Sequence, residues 1–295
     1  MKDIKVAVIQ ASPVLFDKEK TIQKTEAYII EAIKNKAGLL LFPEAYIGDY
    51  PRGLNFGTKV GYRTDEGKEL WYRYYNNAID VPGKETRQFA EWAKQYQIYL
   101  NIGVVERDHG TLYCTLLYFT PDGKLAGKHR KIKPTAFERI IWGEGDQSTL
   151  TVINTKDAKI GGLICWENYM PQARMEMYKQ NIEIYLAPTA DHRDTWQSSM
   201  IHIASEGRCY VLGCNQFVTK KMYPNEYQQY IKDEPDIMSR GGSVIISPAG
   251  KILAGPLFDK EGIIYADLSE KELIKSKFDF DVVGHYARPD IFNHK

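Results

Sequence analysis

The chain has 295 residues, with 39 Lys or Arg against 38 Asp or Glu, 43% hydrophobic residues and four cysteines. At this length about three-quarters of the unfolded chain's surface can be buried, so a core needs no disulfide or metal staples. The formal net charge of +1 gives no broad field to hold nucleic acid or an anionic membrane, no apolar run approaches the roughly 18 residues of a bilayer span, and Cys114, Cys165, Cys209 and Cys214 are too irregular for a secreted disulfide framework.

The N-terminus, Met1-Lys2-Asp3-Ile4-Lys5, passes directly into a strand over Ile4 to Ile9 with no small-residue cleavage site, which predicts a cytoplasmic chain without a signal peptide. Ile22, Glu26, Ile29, Ile30 and Ile33 follow at helical spacing, and Gly38 to Phe42 reads as a fully buried strand. From Tyr46 to Asp80 there is little periodicity and much Tyr, Gly and Arg, which predicts a long functional loop. Phe89, Trp92, Ala93 and Tyr96 mark a second helix, followed by strands at Tyr99 to Val105 and Leu112 to Phe119. Later strands are predicted at Ile160 to Ile164, Ile182 to Ala187, Val211 to Phe217, Ser243 to Ile246 and Ile263 to Ala266, with helices near Gln172 to Lys179 and Trp196 to Arg208. This alternation is the pattern of an α/β protein, and without a Ser/Gly-rich or Pro-rich linker a single domain over residues 1–295 is expected. The segments TPDGKLAG, from Thr120, and SPAGKILAG, from Ser247, repeat one another and place Pro and Gly as a tight antiparallel turn requires. They suggest two related halves whose sheets pack face to face.

Three segments carry pointed chemistry. In Leu41-Phe42-Pro43-Glu44 an apolar strand ends in a carboxylate that apolar surroundings would keep basic, although alone Glu44 reads as a solvated strand-end residue. Lys128 to Pro134 is the one basic cluster, and strand period puts His129 and Lys131 on one face; the plain alternative is a solvated face. Gly161 to Asn168 runs from a strand through Cys165 into a helix starting near Pro171, a turn that can expose a nucleophile, whereas a lone cysteine is more often an inert buried thiol. A thiol, a base and a fixed cation together supply what attack on an electrophilic carbon requires.

The runs FPEAYIGDYPRG (from Phe42), HRKIKPTAFERIIWGEGD (from His129) and GGLICWENYMPQARMEMY (from Gly161) resemble the three active-site motifs of the nitrilase superfamily, the carbon–nitrogen hydrolases, and specifically its nitrilase branch. The runs from Ala187 and Val282 resemble that branch too, so the likeness covers nearly the whole chain. It implies an α-β-β-α sandwich of two face-packed mixed sheets flanked by helices. It also implies Glu44 as general base, Lys131 as cationic stabiliser, Cys165 as nucleophile and Glu138 as a second carboxylate, with no metal or organic cofactor and assembly as a homodimer or larger homo-oligomer. The implied reaction is hydrolysis of a small-molecule nitrile to the acid and ammonia. Amidase, N-carbamoyl hydrolase and cyanide-hydrolysing activities use the same groups, but Trp166-Glu167 after the nucleophile resembles nitrilases. Tyr50, Trp142, Trp166, Thr189 and His192 fall in segments resembling substrate-lining stretches, and their aromatic content predicts a largely apolar pocket. His192 departs from the smaller residue common there and would narrow the pocket.

Other chemistries fit worse. His192, His202, Cys209 and Cys214 lack zinc-ligand spacing. Asp191, His192 and Ser198 come without a Gly-x-Ser-x-Gly elbow. The basic cluster lacks any nucleic-acid-binding motif around it.

Overall fold

The computed structural model describes residues 1–292. The chain opens with β1 (Ile4–Gln10), α1 (Lys18–Lys34) and β2 (Leu39–Leu41), then a small hairpin, β3 (Thr58–Lys59) and β4 (Tyr62–Arg63), and α2 (Asp65–Asn77). β5 (Ile79–Asp80), α3 (Lys84–Gln95), β6 (Tyr99–Asp108), β7 (Thr111–Thr120) and β8 (Lys124–Arg130) follow. Next come α4 (Glu138–Ile141), β9 (Ile153–Asn154), β10 (Lys159–Gly162), α5 (Pro171–Lys179), β11 (Ile184–Pro188), α6 (Asp194–Gly207) and β12 (Tyr210–Cys214). The chain then adds β13 (Phe217–Thr219), β14 (Ile237–Ile246), β15 (Ile252–Phe258), β16 (Gly262–Leu268) and α7 (Glu270–Ser276).

Two seven-stranded sheets result. The first runs β16-β1-β2-β6-β7-β8 with β5 beside β6, and the second runs β13-β14-β12-β11-β10-β9 with β15 beside β14. Each has a parallel centre, β1-β2-β6 with the short β5 beside β6, and β10-β11-β12, and the remaining strands are added antiparallel, so both are mixed. Strand alternation sorts the side chains into layers. Val6, Val8, Leu39 and Leu41 of the first sheet meet Ile160, Ile184, Leu186 and Leu212 of the second in one core between the sheets. The opposite faces, with Ala7, Ile9 and Leu40 on one side and Tyr185, Ala187 and Val211 on the other, lie under α1 with α3 and under α5 with α6. This is the expected α-β-β-α sandwich. The two repeated turns sit at matching places, closing β7 onto β8 and β14 onto β15.

Three local readings differ. The stretch from Tyr46 to Asp80 is not one loop: α2 occupies it, capped by the Thr64 hydroxyl, which accepts from Gly67 N at 2.9 Å, and burying Leu70 and Tyr74. The predicted strand at Val211 to Phe217 breaks after Cys214 because Asn215 and Gln216 turn their side chains to backbone groups of Asp191, Gly241 and Glu44. β14 is longer than Ser243 to Ile246, since its outer half pairs with β13. The two related halves are interlocked within one domain, since β16 crosses from the second half to pair with β1 through seven residues.

Candidate active site

Each pointed residue lies just beyond a strand end where the two sheets face one another. Glu44 follows β2 and is 1% exposed. Its turn rests on β6 at Gly103, where a Cβ would stand 2.1 Å from Pro43 O, so only glycine admits this approach. Lys131 leaves the end of β8, and its backbone N–H donates to Cys114 O at 2.8 Å. Cys165 follows β10 at the start of a one-turn 3₁₀ segment with φ of +53°, a left-handed conformation that turns its side chain sharply off the strand.

These three segments converge. Lys131 Nζ donates to Glu44 Oε1 and to Glu138 Oε2, each at 2.7 Å. Glu138 also accepts from the Tyr50 hydroxyl and from Thr135 N, both at 2.7 Å. The Thr189 hydroxyl donates to Cys165 Sγ at 3.3 Å. Glu44 Oε2 is buried without a hydrogen-bond partner, while Cys114 Sγ lies 3.7 Å from Oε1. Burial pushes the Cys165 thiol up to about 12, reinforced by the Glu44 charge and opposed by Lys131. Burial also raises the Glu44 carboxyl above the ordinary carboxylate range, although Lys131 pulls the other way. For Lys131 burial alone would lower the value, but Glu44, Cys165 and Glu138 outweigh it and hold the ammonium well above its usual range. The resting cluster is therefore a fixed cation between carboxylates beside a protonated thiol, and the carboxyl nearest the thiol has gained basicity.

Glu167 ties the two sheets' contributions together. Its carboxylate, with no exposed side-chain surface, accepts from Ile164 N at 2.7 Å, from Ile132 N, and from His129 Nε2 at 2.9 Å. Ile164 precedes Cys165 and Ile132 follows Lys131, so one side chain fixes the backbone beside both. His129 and Lys131 both point inward, as strand period predicts, and His129 Nδ1 faces Thr149 O at 3.2 Å. Asn168 Nδ2 donates back to the Cys165 and Leu163 carbonyls and holds the turn. From sequence Glu167 enters only as half of the Trp166-Glu167 pair and not as a positioning carboxylate, although a glutamate at the third position of a helical turn, reaching back to the N–H before it, is a readable capping pattern.

A pocket of about 240 Å³ opens onto Cys165, with Tyr50, Trp166 and His192 on its wall beside Arg52 and Asp191. Trp166 is held by its Nε1, which donates to Asp191 Oδ2 at 2.8 Å, and Arg193 lies over its ring. Thr189 lies beneath the nucleophile. Trp142 is not on the pocket wall: 3% exposed, it packs edge-on against Tyr50, donates from Nε1 to the Tyr74 hydroxyl at 3.0 Å and lies 5.7 Å from Lys131 Nζ. Arg52 and Asp191 escaped the sequence reading as pocket residues because only tertiary packing brings them to the thiol. Among the described residues no group of three His, Cys, Asp or Glu side chains is arranged to hold a metal, and no helix is long and apolar enough to cross a membrane.

A buried thiol, two carboxylates and an ammonium thus meet between the two mixed sheets of a sandwich, a set of groups suited to hydrolysis through a cysteine. The carbon-nitrogen hydrolase family model matches residues 5–277, and the chain belongs to that family. It is 52% identical to an aliphatic nitrilase of Sinorhizobium fredii (strain HH103) over 99% of this chain and 95% of that one. It is also 52% identical to the bifunctional nitrilase/nitrile hydratase NIT4B of Nicotiana tabacum, over 98% of this chain and 85% of that one. Among solved structures, a carbon-nitrogen hydrolase from Helicobacter pylori G27 superposes with TM-score 0.77 at 21% identity over 99% and 97% of the two chains. Saccharomyces cerevisiae Nit3 gives 0.75 at 23% over 97% of each. At such identities these structures speak for the fold.

Proposed function

We propose that the chain is a nitrilase that converts a small nitrile and two waters to the carboxylic acid and ammonia, acting as a single catalytic domain over residues 1–295. Glu44 takes the Cys165 proton as sulfur adds to the nitrile carbon, and the nitrogen, protonated in turn, becomes a thioimidate held by Lys131 and the Trp166 backbone N–H. Water adds to this carbon, giving a proton to Glu44. Glu44 passes that proton to the nitrogen. The hydroxyl left on the carbon gives its own proton to the nitrogen by way of Glu44 as the C–N bond of the tetrahedral intermediate breaks, ammonia leaves, and a thioester remains. A second water, deprotonated by Glu44, releases the acid and restores the thiol. Glu138 holds Lys131 in place and keeps it charged. The observation that carries this reading is the Lys131 ammonium bridging Glu44 to Glu138, which lies on the wall of the pocket that opens onto Cys165. The nitrilase names of relatives about half identical support it.

Amide is proposed as a minor product. If sulfur rather than ammonia leaves the tetrahedral intermediate, an amide is freed, and relatives named bifunctional nitrilase/nitrile hydratase favour this branch. Assembly as a homodimer or larger oligomer and a cytoplasmic setting belong to the same proposal. The test is acid, amide and ammonia released from matched nitriles, amides, an N-carbamoyl compound and cyanide. Wild-type protein is expected to favour nitriles, and Cys165→Ala to release nothing. Turnover of amides alone, or ammonia release by folded C165A, overturns the reading.

A further inference from the structure

The pocket over Cys165 holds polar groups that the hydrolytic steps leave unused. Arg52 reaches it from the segment after β2, anchored by the Tyr223 hydroxyl donating to Arg52 O at 2.7 Å and by Arg52 Nη2 donating to Ala190 O at 2.6 Å. Its guanidinium lies 5.2 Å from the Tyr50 ring. Among the described residues no carboxylate forms an ion pair with Arg52, and its Nε is buried without a partner. His192 enters the same pocket from 140 positions further along the chain, and its Nδ1 is likewise buried and unpartnered. Buried polar atoms are nearly always hydrogen-bonded, so two unpartnered nitrogens from residues of one pocket wall, of which the guanidinium nitrogen can only donate, point to a polar ligand there.

The pocket's own carboxylates do not fill that need. Asp191 is engaged by Arg193 Nε at 2.9 Å and by Trp166 Nε1. Glu138 is engaged by Lys131, Tyr50 and Thr135. Among the described residues Arg52 is thus the one cation on this pocket's wall without an anion, and a guanidinium's planar fork matches a carboxylate. We propose, building on the nitrilase reading above, that Arg52 and His192 bind a carboxylate on the substrate's carbon chain, so that short cyano-carboxylates are the preferred nitriles.

The experiment measures nitrile consumption by the full chain on four compounds of one length: 3-cyanopropanoate, 3-cyanopropanamide, 4-methylpentanenitrile and 4-aminobutanenitrile. Expected is a kcat/KM for 3-cyanopropanoate at least about tenfold above that of 4-methylpentanenitrile, with the amine poorest. Arg52→Gln and His192→Ser should each reduce that ratio by about tenfold or more, chiefly through KM, and Arg52→Lys should keep part of it. Equal rates for the acid and its neutral isostere, equal rates for the acid and 3-cyanopropanamide, or an undiminished ratio in folded R52Q would each overturn the proposal. Should R52Q not fold, the wild-type ratio and H192S decide. Consumption of no nitrile at all would instead remove the nitrilase reading on which this one rests.

Discussion

Replacing Glu167 by alanine tests whether the carboxylate between the sheets positions the chemistry or only holds the fold. The substitution leaves three buried donors, Ile132 N, Ile164 N and His129 Nε2, without their acceptor. Each unsatisfied group costs about 1–3 kcal/mol, and breaking one buried charge-assisted cluster costs about 3–5 kcal/mol in total. At about 2–4 °C per kcal/mol for a chain of this size, the melting temperature should fall by roughly 10 °C. The backbone next to Lys131 and Cys165 also loses its common anchor, and a shift of about 1 Å between reacting groups lowers turnover by about a hundredfold. Glu167→Gln keeps the shape and one acceptor oxygen but turns an amide N–H toward a donor, so it should fall between wild type and alanine on both measures. The assay is thermal unfolding beside kcat and KM per active thiol, well below the melting point. A variant that melts early but keeps kcat within about twofold would show that Glu167 is structural only.

Two further outcomes follow from protonation. With Glu44 acting ionised as the proposed base and its pKa raised, the acid limb of kcat/KM should fall at a pH above the ordinary carboxylate range, and a limb near pH 4 would contradict that role. Asp49, with no exposed surface, has its carboxyl pushed up to about 7 by burial from a reference of 3.8, so the folded state keeps a proton that the unfolded state releases. Its contribution is therefore full below about pH 4 and lost as pH rises through 7, on the order of 4 kcal/mol across the window. Urea unfolding of wild type and Asp49→Asn at pH 5 and pH 8 checks this, since the wild type should weaken relative to D49N at the higher pH.

How far the sequence could be read depended on the range of the interaction. The turns after Thr120 and Ser247 are local Pro/Gly chemistry, and they appear where predicted. Glu44, Lys131 and Cys165 sit in long motifs with distinctive neighbours, so their segments stood out, although nothing in a linear spacing of 87 residues states that Lys131 bonds Glu44. Glu138 came from resemblance alone. α2 was hidden because its inward face is built from Leu70 and Tyr74 among tyrosines and charges, which blurs the apolar period, although the Thr64 cap was there to be read. Trp142 looked like a pocket wall because aromatic residues in such segments often are, yet its ring backs the ion cluster instead. The meeting of Arg52 with His192 depends on β2 and β11 lying in facing sheets, which no local pattern encodes.

The sandwich explains why the groups are spread through the chain. Glu44 and Lys131 leave strands of the first sheet, whereas Cys165 leaves the second, so the cluster exists only where the sheets face each other. Burial there has two opposed effects. It penalises an ammonium, and Lys131 stays charged only because two carboxylates adjoin it. It also keeps the Cys165 thiol protonated at rest, so that in the proposed mechanism a reactive thiolate arises only as Glu44 accepts the proton. Nucleophile formation is thereby coupled to a substrate carbon in reach, and the cost of burying the ion cluster is offset by the apolar core that closes the two sheets around it.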